Sequence, residues 1–191
     1  MPFAKSTMGE AVQAGIGKFA TGEAAVGLGG MFTVTCFDAD GKLKWEDTFH
    51  NLVVNEGLQS LNTQYFKGSA YTAAWYLGLV TGPGASNTYA AGNTLATHAG
   101  WTEFTNYSGT RKAVSFGTAT TADPSVIDNS ASPSVFVISG AGGTVAGALL
   151  ATVTSGTSGV LFSVGNFTGG DKVVASGDTI NVTYTFSADA V

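Results

Sequence analysis

Charged residues are scarce in this chain. Asp, Glu, Lys and Arg make up 11% of its 191 residues, whereas soluble domains usually contain about 25%. Two explanations fit this scarcity. Much of the surface is buried against copies of the chain or another partner, since charge is depleted at the centre of interfaces, or the protein works outside cells. We favour the first explanation, which predicts a homo-oligomer or a protein that assembles with a partner.

Basic stretches, long apolar runs and paired cysteines are also absent, and each absence argues against a class of protein. The chain has eight Lys and Arg residues and a net charge of −5, so it lacks the basic stripe that nucleic-acid binding needs. No run of about 18 apolar residues is present, which argues against a membrane span. The first 30 residues lack the apolar core of a secretory signal, and the single cysteine, Cys36, fits folding in a reducing cytoplasm.

Glycine, by contrast, is abundant, with 27 residues, and it is prominent near the start of the chain. Residues 1–29 are rich in Gly and Ala and have weak periodicity. We predict that they form a flexible N-terminal arm that binds a partner through Phe3, Lys5 and Phe19, with a frayed terminus as the alternative. Residues 30–191 then form a single domain, which is long enough to bury a core of its own.

Alternating apolar and polar residues predict β-strands across much of this domain. The sequences MFTVTCFD and KLKWEDTFHN flank the turn sequence DADG and predict a β-hairpin. Asp47 falls on the apolar face of the second strand, which predicts a local slip or bulge. We also predict a strand at 111–120, a loop at 121–133 and a clear final strand at 178–188.

These patterns predict an all-β fold with one short helix. We count about eight strands and no βαβ alternation, so we expect an antiparallel β-sandwich of jelly-roll or Greek-key type. The helix is predicted at 55–66, where Asn55 can cap its first turn. Its side chains Leu58, Leu61 and Tyr65 are expected to share the face that packs on a sheet.

Templates for nucleophilic, metal and phosphate sites do not match the sequence. Cys36 shares a strand face with apolar residues and is expected to be a buried hydrophobic residue. His50 and His98 lie in neither a nucleophile motif nor a metal-ligand spacing. The DADG sequence at 38–41 lacks the other ligands of a calcium loop, and the glycine-rich segments lack the Lys-Ser/Thr ending of a P-loop. We therefore expect no enzyme, no cofactor and no metal.

Rare residue types gather in the segment NTLATHAGWTEFTNYSGTRKAV, residues 93–114. We predict that Trp101, Glu103, Tyr107 and Arg111 form a structural brace in which Trp101 is buried and Glu103 pairs with Arg111, the only arginine of the chain. A tryptophan buries up to about 250 Å², worth several kcal/mol at ~25 cal/mol per Å², so Trp101 should dominate over an ion pair.

Two functional interpretations of this segment stay open. A sugar could stack on Trp101 or Tyr107. Alternatively, Glu103 could pair with Glu46 or Asp47 as the two carboxylates of a glycoside hydrolase.

Several blocks of the sequence resemble a group of small virion structural proteins of tailed bacteriophages. The similarity runs from about Met31 to Ala188 and includes the order of five blocks: FHNLVVNEGLQSLNTQYF, AAWYLGLV, NTLATHAGWTEFTNYSGTRKAVSFGTA, DNSASPSVFVIS and DKVVASGDTINVTYTFSA. Members of the group resemble capsid decoration (cement) proteins, which are small β-sandwiches on the outside of the head shell. Some similar chains carry tail-fibre labels.

The resemblance implies a structural role on the capsid surface of a virion. The expected partners are the major capsid protein and copies of the chain itself, and assembly is expected in the cytoplasm of the host bacterium. No catalytic residues are carried over. The alternative is a tail or tail-fibre component that binds the host surface or its glycans through exposed aromatic residues such as Tyr89, Trp101 and Tyr107.

Overall fold

The computed structural model describes residues 26–67 and 74–190 and consists mainly of β-strands. It contains one α-helix, α1 (Asn55–Lys67), which is too short to cross a membrane. The predicted arm residues Phe3, Lys5 and Phe19 lie outside the described residues. The strands are β1 (Val26–Phe37), β2 (Leu43–His50), β3 (Leu52–Val53), β4 (Tyr76–Thr81), β5 (Glu103–Phe104), β6 (Lys112–Ala113), β7 (Ser125–Asp128), β8 (Ser134–Val137), β9 (Gly143–Ala151), β10 (Leu161–Asn166), β11 (Lys172–Val174) and β12 (Thr179–Ala190).

These strands form two antiparallel sheets, which confirms the predicted mainly β architecture with one helix. Sheet A has the order β2-β1-β12-β7, and β8 also pairs with β12. Sheet B has the order β3-β10-β9-β4-β5, with β11 on β9 and β6 on β4. Both sheets contribute to one apolar core in a sandwich-like arrangement, as shown by Phe32, Val34, Phe136, Val182 and Tyr184 from sheet A and Leu77, Leu79, Val145, Leu150 and Phe162 from sheet B.

Strand β1 starts earlier than the predicted domain boundary at residue 30. Its first residue is Val26, and all of its twelve residues have partners in β12, from Val26 opposite Ala190 to Phe37 opposite Thr179. Residues 26–29, which were assigned to the arm, therefore belong to the sheet. Their glycines hid this strand, because glycine weakens the alternation on which strand prediction depends.

The predicted hairpin of β1 and β2 is present, but the predicted bulge at Asp47 is wrong. Asp47 lies in register opposite Val34, and the register shift occurs elsewhere, between Cys36 and Phe37. The Asp47 carboxylate is buried and accepts hydrogen bonds from the Thr168 N–H at 3.2 Å, the Thr168 hydroxyl at 2.8 Å and the Gly169 N–H at 2.7 Å. A carboxylate thus fits on an apolar strand face because a turn donates to it.

Two other strand assignments need correction. The strand predicted at 111–120 is limited to β6, because only Lys112 and Ala113 pair with β4. The loop predicted at 121–133 contains β7, which pairs with β12 and places Ile127 opposite Phe186. The Pro- and Asn-rich ends of that loop conceal a four-residue strand in its middle.

Helix α1 packs through its first turn and not through the predicted apolar face. Leu61 packs partly against the core, but Leu58 is 37% exposed and Tyr65 is 80% exposed, so the prediction for these two residues is wrong. The contact is made instead by Gly57, where an added Cβ would lie 2.5 Å from the carbonyl oxygen of Phe162. The Glu56 carboxylate also accepts the Leu161 N–H at 2.8 Å.

We expect Gly57→Ala to destabilise the protein by about 1–3 kcal/mol, since the new methyl group must push α1 away from β10. Helix propensity alone predicts the opposite sign, because alanine is favoured over glycine by about 1 kcal/mol within a helix. Urea denaturation followed by circular dichroism measures the difference. Gln59→Ala, at an exposed position of the same helix, serves as the control, and a stabilised Gly57→Ala variant would contradict this close packing.

Candidate interaction surface

The outer face of sheet B is covered by the chain itself. A second apolar cluster lies there and consists of Val54, Val80, Leu95, Trp101, Leu149, Ala151, Leu161 and Val164. Leu95 and Trp101 come from the segment between β4 and β5, whereas most of the other members are sheet residues. The long Gly- and Asn-rich segment at 82–102 therefore acts as a third layer on sheet B.

Trp101 is the central side chain of this layer. It is 4% exposed, and its Nε1–H donates to the Oδ1 atom of Asn93 at 3.1 Å. The ring of His98 stacks on it with centroids 3.9 Å apart, and the Nδ1 atom of His98 lies 3.1 Å from the Trp101 carbonyl oxygen. His98, which matched no sequence template, is therefore a packing partner of Trp101, and the buried indole does not offer a free face to a sugar.

Glu103 and Arg111 form the bidentate ion pair that the sequence suggested. The Arg111 Nε–H donates to the Glu103 Oε1 atom at 2.9 Å, and its Nη2 group donates to Oε2 at 2.8 Å. The same guanidinium also donates to the carbonyl oxygens of Val153 and Gly156, both at 3.1 Å. One arginine therefore ties β5 to the loop after β9, and its 8% exposure shows that this tie is largely shielded from water.

Tyr107 belongs to the core between the two sheets and not to the layer that contains Trp101. It is 6% exposed and packs edge-to-face on Phe136, with ring centroids 4.9 Å apart. Burial, followed by the nearby charge of Glu103, raises the pKa of the Tyr107 hydroxyl well above its usual value. The four residues of the predicted brace thus lie in one stretch of chain that contacts both apolar clusters.

The structure leaves the candidate catalytic residues engaged in other contacts. Glu103 is held by Arg111, and Asp47 is held by the turn at Thr168 and Gly169. Glu103 lies in sheet B and Asp47 in sheet A. Within residues 26–67 and 74–190, no group of three or more His, Cys, Asp and Glu side chains is arranged to hold a metal ion.

Cys36 is fully buried in the core, and burial raises the pKa of its thiol to about 11. The nearby Asp178 carboxylate raises the pKa further. Because the thiolate is the reactive form, we expect the native protein not to react with 5,5′-dithiobis(2-nitrobenzoate) at pH 8. The unfolded chain should react fully in the same assay, and rapid reaction of the native protein would contradict the burial of Cys36.

The outer face of sheet A, unlike that of sheet B, keeps its outward side chains partly exposed. Positions 30, 32, 34 and 36 of β1 point into the core, so the alternate residues point outward. We call the outward residues between positions 31 and 37 of β1 and between positions 179 and 187 of β12 the Thr face: Met31, Thr33, Thr35, Phe37, Thr179, Asn181, Thr183, Thr185 and Ser187. None of these nine side chains is charged, and Thr33 lies directly opposite Thr183. Charged residues border the Thr face: Glu46 lies opposite Thr35, Asp128 lies opposite Thr185, and Asp189 is the next outward residue of β12.

Two valines of β8 extend the Thr face. Val135 and Val137 are 46% and 45% exposed, and they lie opposite Asn181 and Thr179. Neighbouring exposed apolar groups are typical of interaction surfaces. The sequence pattern did not single out this surface, because threonines commonly occupy the outward positions of a strand in which apolar and polar residues alternate.

The Thr face is therefore the candidate functional surface, and the segment at 93–114 is part of the scaffold behind it. The first is a sheet surface whose nine central side chains are uncharged and partly exposed, whereas the second is a set of buried contacts. No protein-family model, no curated protein and no solved structure matches the chain.

Proposed function

We propose that this chain is a structural virion protein of a tailed bacteriophage, namely a capsid decoration protein. It binds the outside of the head shell and bridges neighbouring major capsid subunits. The observation that carries the proposal is the Thr face, whose nine side chains are uncharged and stay partly exposed, whereas residues 82–102 cover the outer face of sheet B. The proposal also includes a jelly-roll or Greek-key fold, a homo-oligomer, assembly in the host cytoplasm and no enzymatic activity.

The chemistry of the Thr face suits binding to a protein surface. Removing a charged group from water costs several kcal/mol unless it is paired, and the nine side chains of this face present no such group. Hydroxyl groups lose less on burial and can exchange hydrogen bonds with a partner's backbone. Stable interfaces bury about 1,600 Å² in total, and many copies on one shell add their contributions through multivalency.

The stoichiometry of the purified virion tests the proposal. We expect quantitative mass spectrometry to find the chain in many copies, in a fixed ratio to the major capsid protein. A few copies for each virion would contradict a decoration role and would favour the tail alternative.

The tail or tail-fibre alternative now has less support from the residues first assigned to it. Host glycans were expected to stack on exposed aromatic rings. Trp101 and Tyr107 are buried, and the hydroxyl of the partly buried Tyr89 donates to Asn166 at 2.5 Å. A glycan site would therefore need other residues.

We expect Thr183→Lys to weaken binding to shells that lack the protein by at least about tenfold. A lysine at the centre of the Thr face would place an unpaired ammonium group in the interface, and the resulting cost of 1.4 kcal/mol or more corresponds to that factor. Thr157→Lys makes the same chemical change in an exposed loop and should bind as the wild type does. Equal binding by both variants, measured by co-sedimentation, would exclude the Thr face as the capsid contact.

A further inference from the structure

An apolar cavity of about 330 Å³ lies between α1 and the two sheets. Its lining is dominated by apolar side chains, including Leu61, Trp75, Phe116, Ile127, Phe162 and Phe186. Gln64 also lines this cavity, and its buried Oε1 atom has no hydrogen-bond partner among residues 26–67 and 74–190. An unpaired buried amide oxygen costs about 1–3 kcal/mol, so a group that donates a hydrogen bond to Gln64 would stabilise the protein.

The apolar surface continues out of the cavity along the end of α1. Tyr65, which also lines the cavity, is 80% exposed, and the neighbouring Phe66 is 76% exposed. Their rings pack edge-to-face at a centroid distance of 4.9 Å. A small molecule within the cavity would leave these rings in water, whereas a peptide segment could cover the cavity and the rings together.

The start of β1 lies close to this cavity. Gly30 of β1 pairs with Phe186, which lines the cavity. Val26 is four residues further along β1, or about 13 Å at ~3.3 Å per residue. Residues 1–25 precede Val26 and can span up to about 90 Å when fully extended, so the N-terminal segment can return to the cavity of its own chain.

The sequence of this segment suits an apolar groove. Met8, Val12, Ile16 and Phe19 follow spacings of four, four and three residues, which place apolar side chains on one face of a helix. Glycines at positions 9, 15 and 17 weaken such a helix in isolation. An amphipathic helix of this kind is stabilised when its apolar face enters a hydrophobic groove.

We propose that residues 8–19 dock into the cavity beneath α1 of the same chain and cover Tyr65 and Phe66. Attachment at Val26 gives the segment an effective concentration in the millimolar range for short tethers, which favours its own cavity over that of another copy. The docked segment also brings polar groups to the unpaired Gln64. This docking is independent of the decoration role, and it differs from a clamp on a neighbouring subunit.

A pair of variants in the full-length chain tests whether the segment covers the cavity. Ile16→Asp places a charge in the apolar stripe, and Gln13→Asp places the same charge outside it. We expect Ile16→Asp to increase the fluorescence of bound 1-anilinonaphthalene-8-sulfonate several-fold, because the cavity opens to the dye. Gln13→Asp should match the wild type. Equal dye binding by all three proteins would overturn the proposal.

Cysteine cross-linking identifies which chain supplies the segment. Val12→Cys combined with Gln64→Cys should form a disulfide within a single chain on mild oxidation, while the buried Cys36 stays reduced. A disulfide-linked dimer would overturn docking on the same chain in favour of a clamp on a second copy, and the absence of any disulfide would overturn docking altogether. Val12→Cys with Thr48→Cys, an exposed position on β2, should remain uncross-linked. None of these outcomes depends on the copy number in virions.

Discussion

Trp101→Ala is expected to lower the free energy of unfolding by about 3–5 kcal/mol, which is the usual cost of removing a large buried aromatic ring. Trp101 is 4% exposed and covers the outer face of sheet B together with Leu95. Its loss leaves a cavity over the sheet and removes one of the two donors to the Asn93 Oδ1 atom, which also accepts the Ala90 N–H at 3.1 Å. Urea denaturation followed by circular dichroism measures the change.

A second substitution separates the packing of Trp101 from its hydrogen bond. Trp101→Phe removes the donor to Asn93 but retains much of the apolar ring area, so it should cost about 1–2 kcal/mol, less than Trp101→Ala. Hydrogen exchange should show faster opening of residues 82–102 in Trp101→Ala, because that segment is anchored by this ring. If Trp101→Ala cost less than about 1 kcal/mol, the third layer would not contribute to the stability of sheet B.

Arg111→Met is expected to lower the free energy of unfolding by about 3 kcal/mol, since it leaves the Glu103 carboxylate without its partner. The Glu103 side chain is 20% exposed, which keeps the cost at the lower end for a broken shielded pair. The variant also deprives the carbonyl oxygens of Val153 and Gly156 of their donor. Thermal and urea unfolding of the purified variant measure the effect.

The double variant Arg111→Met/Glu103→Met provides the control. It removes both charges, so it should be more stable than Arg111→Met alone. The single variant Glu103→Met completes the comparison. If the double variant lost as much stability, relative to the wild type, as the two single variants lose together, the two side chains would not interact. Glu103→Gln should also destabilise the protein, whereas the hydrolase interpretation of Glu103 requires that the fold stay intact and an activity be lost.

Local patterns predicted the parts of the fold that depend on neighbouring residues. The DADG turn and the alternation on each side of it predicted the β1–β2 hairpin, and the alternation of Ile180, Val182 and Tyr184 predicted β12. These signals have a period of two residues and need no knowledge of the rest of the chain. They were therefore reliable although the chain is rich in glycine.

The errors arose where a residue depends on a distant part of the chain. Asp47 disrupted an apolar pattern, yet its donors come from Thr168 and Gly169. Helix α1 was expected to pack through Leu58 and Tyr65, but Gly57 brings its backbone against Phe162. Pairing across such separations is set by tertiary structure and leaves little trace in a single sequence.

The candidate surface was predicted less well than the scaffold that supports it. Glu103 and Arg111 attracted attention because charges are rare, and they do pair. The Thr face attracted no attention in the sequence, since threonines such as Thr33 and Thr183 are common on the exposed side of any strand. Its significance comes from the comparison with sheet B, whose outer face is covered, and that comparison requires both sheets.

The pairing of β1 with β12 determines how the domain would respond to mechanical force. Val26 lies opposite Ala190, so both strands leave the sheet at the same end. Force applied at these two points would load the hydrogen bonds one pair at a time, as in a zipper, and would peel β1 from β12 beginning at this edge. Force applied through the Thr face would instead be shared by all the hydrogen bonds between β1 and β12. A partner that holds the domain by this face would therefore protect the ladder from peeling, and single-molecule pulling from residues 26 and 190 should show unfolding at low force.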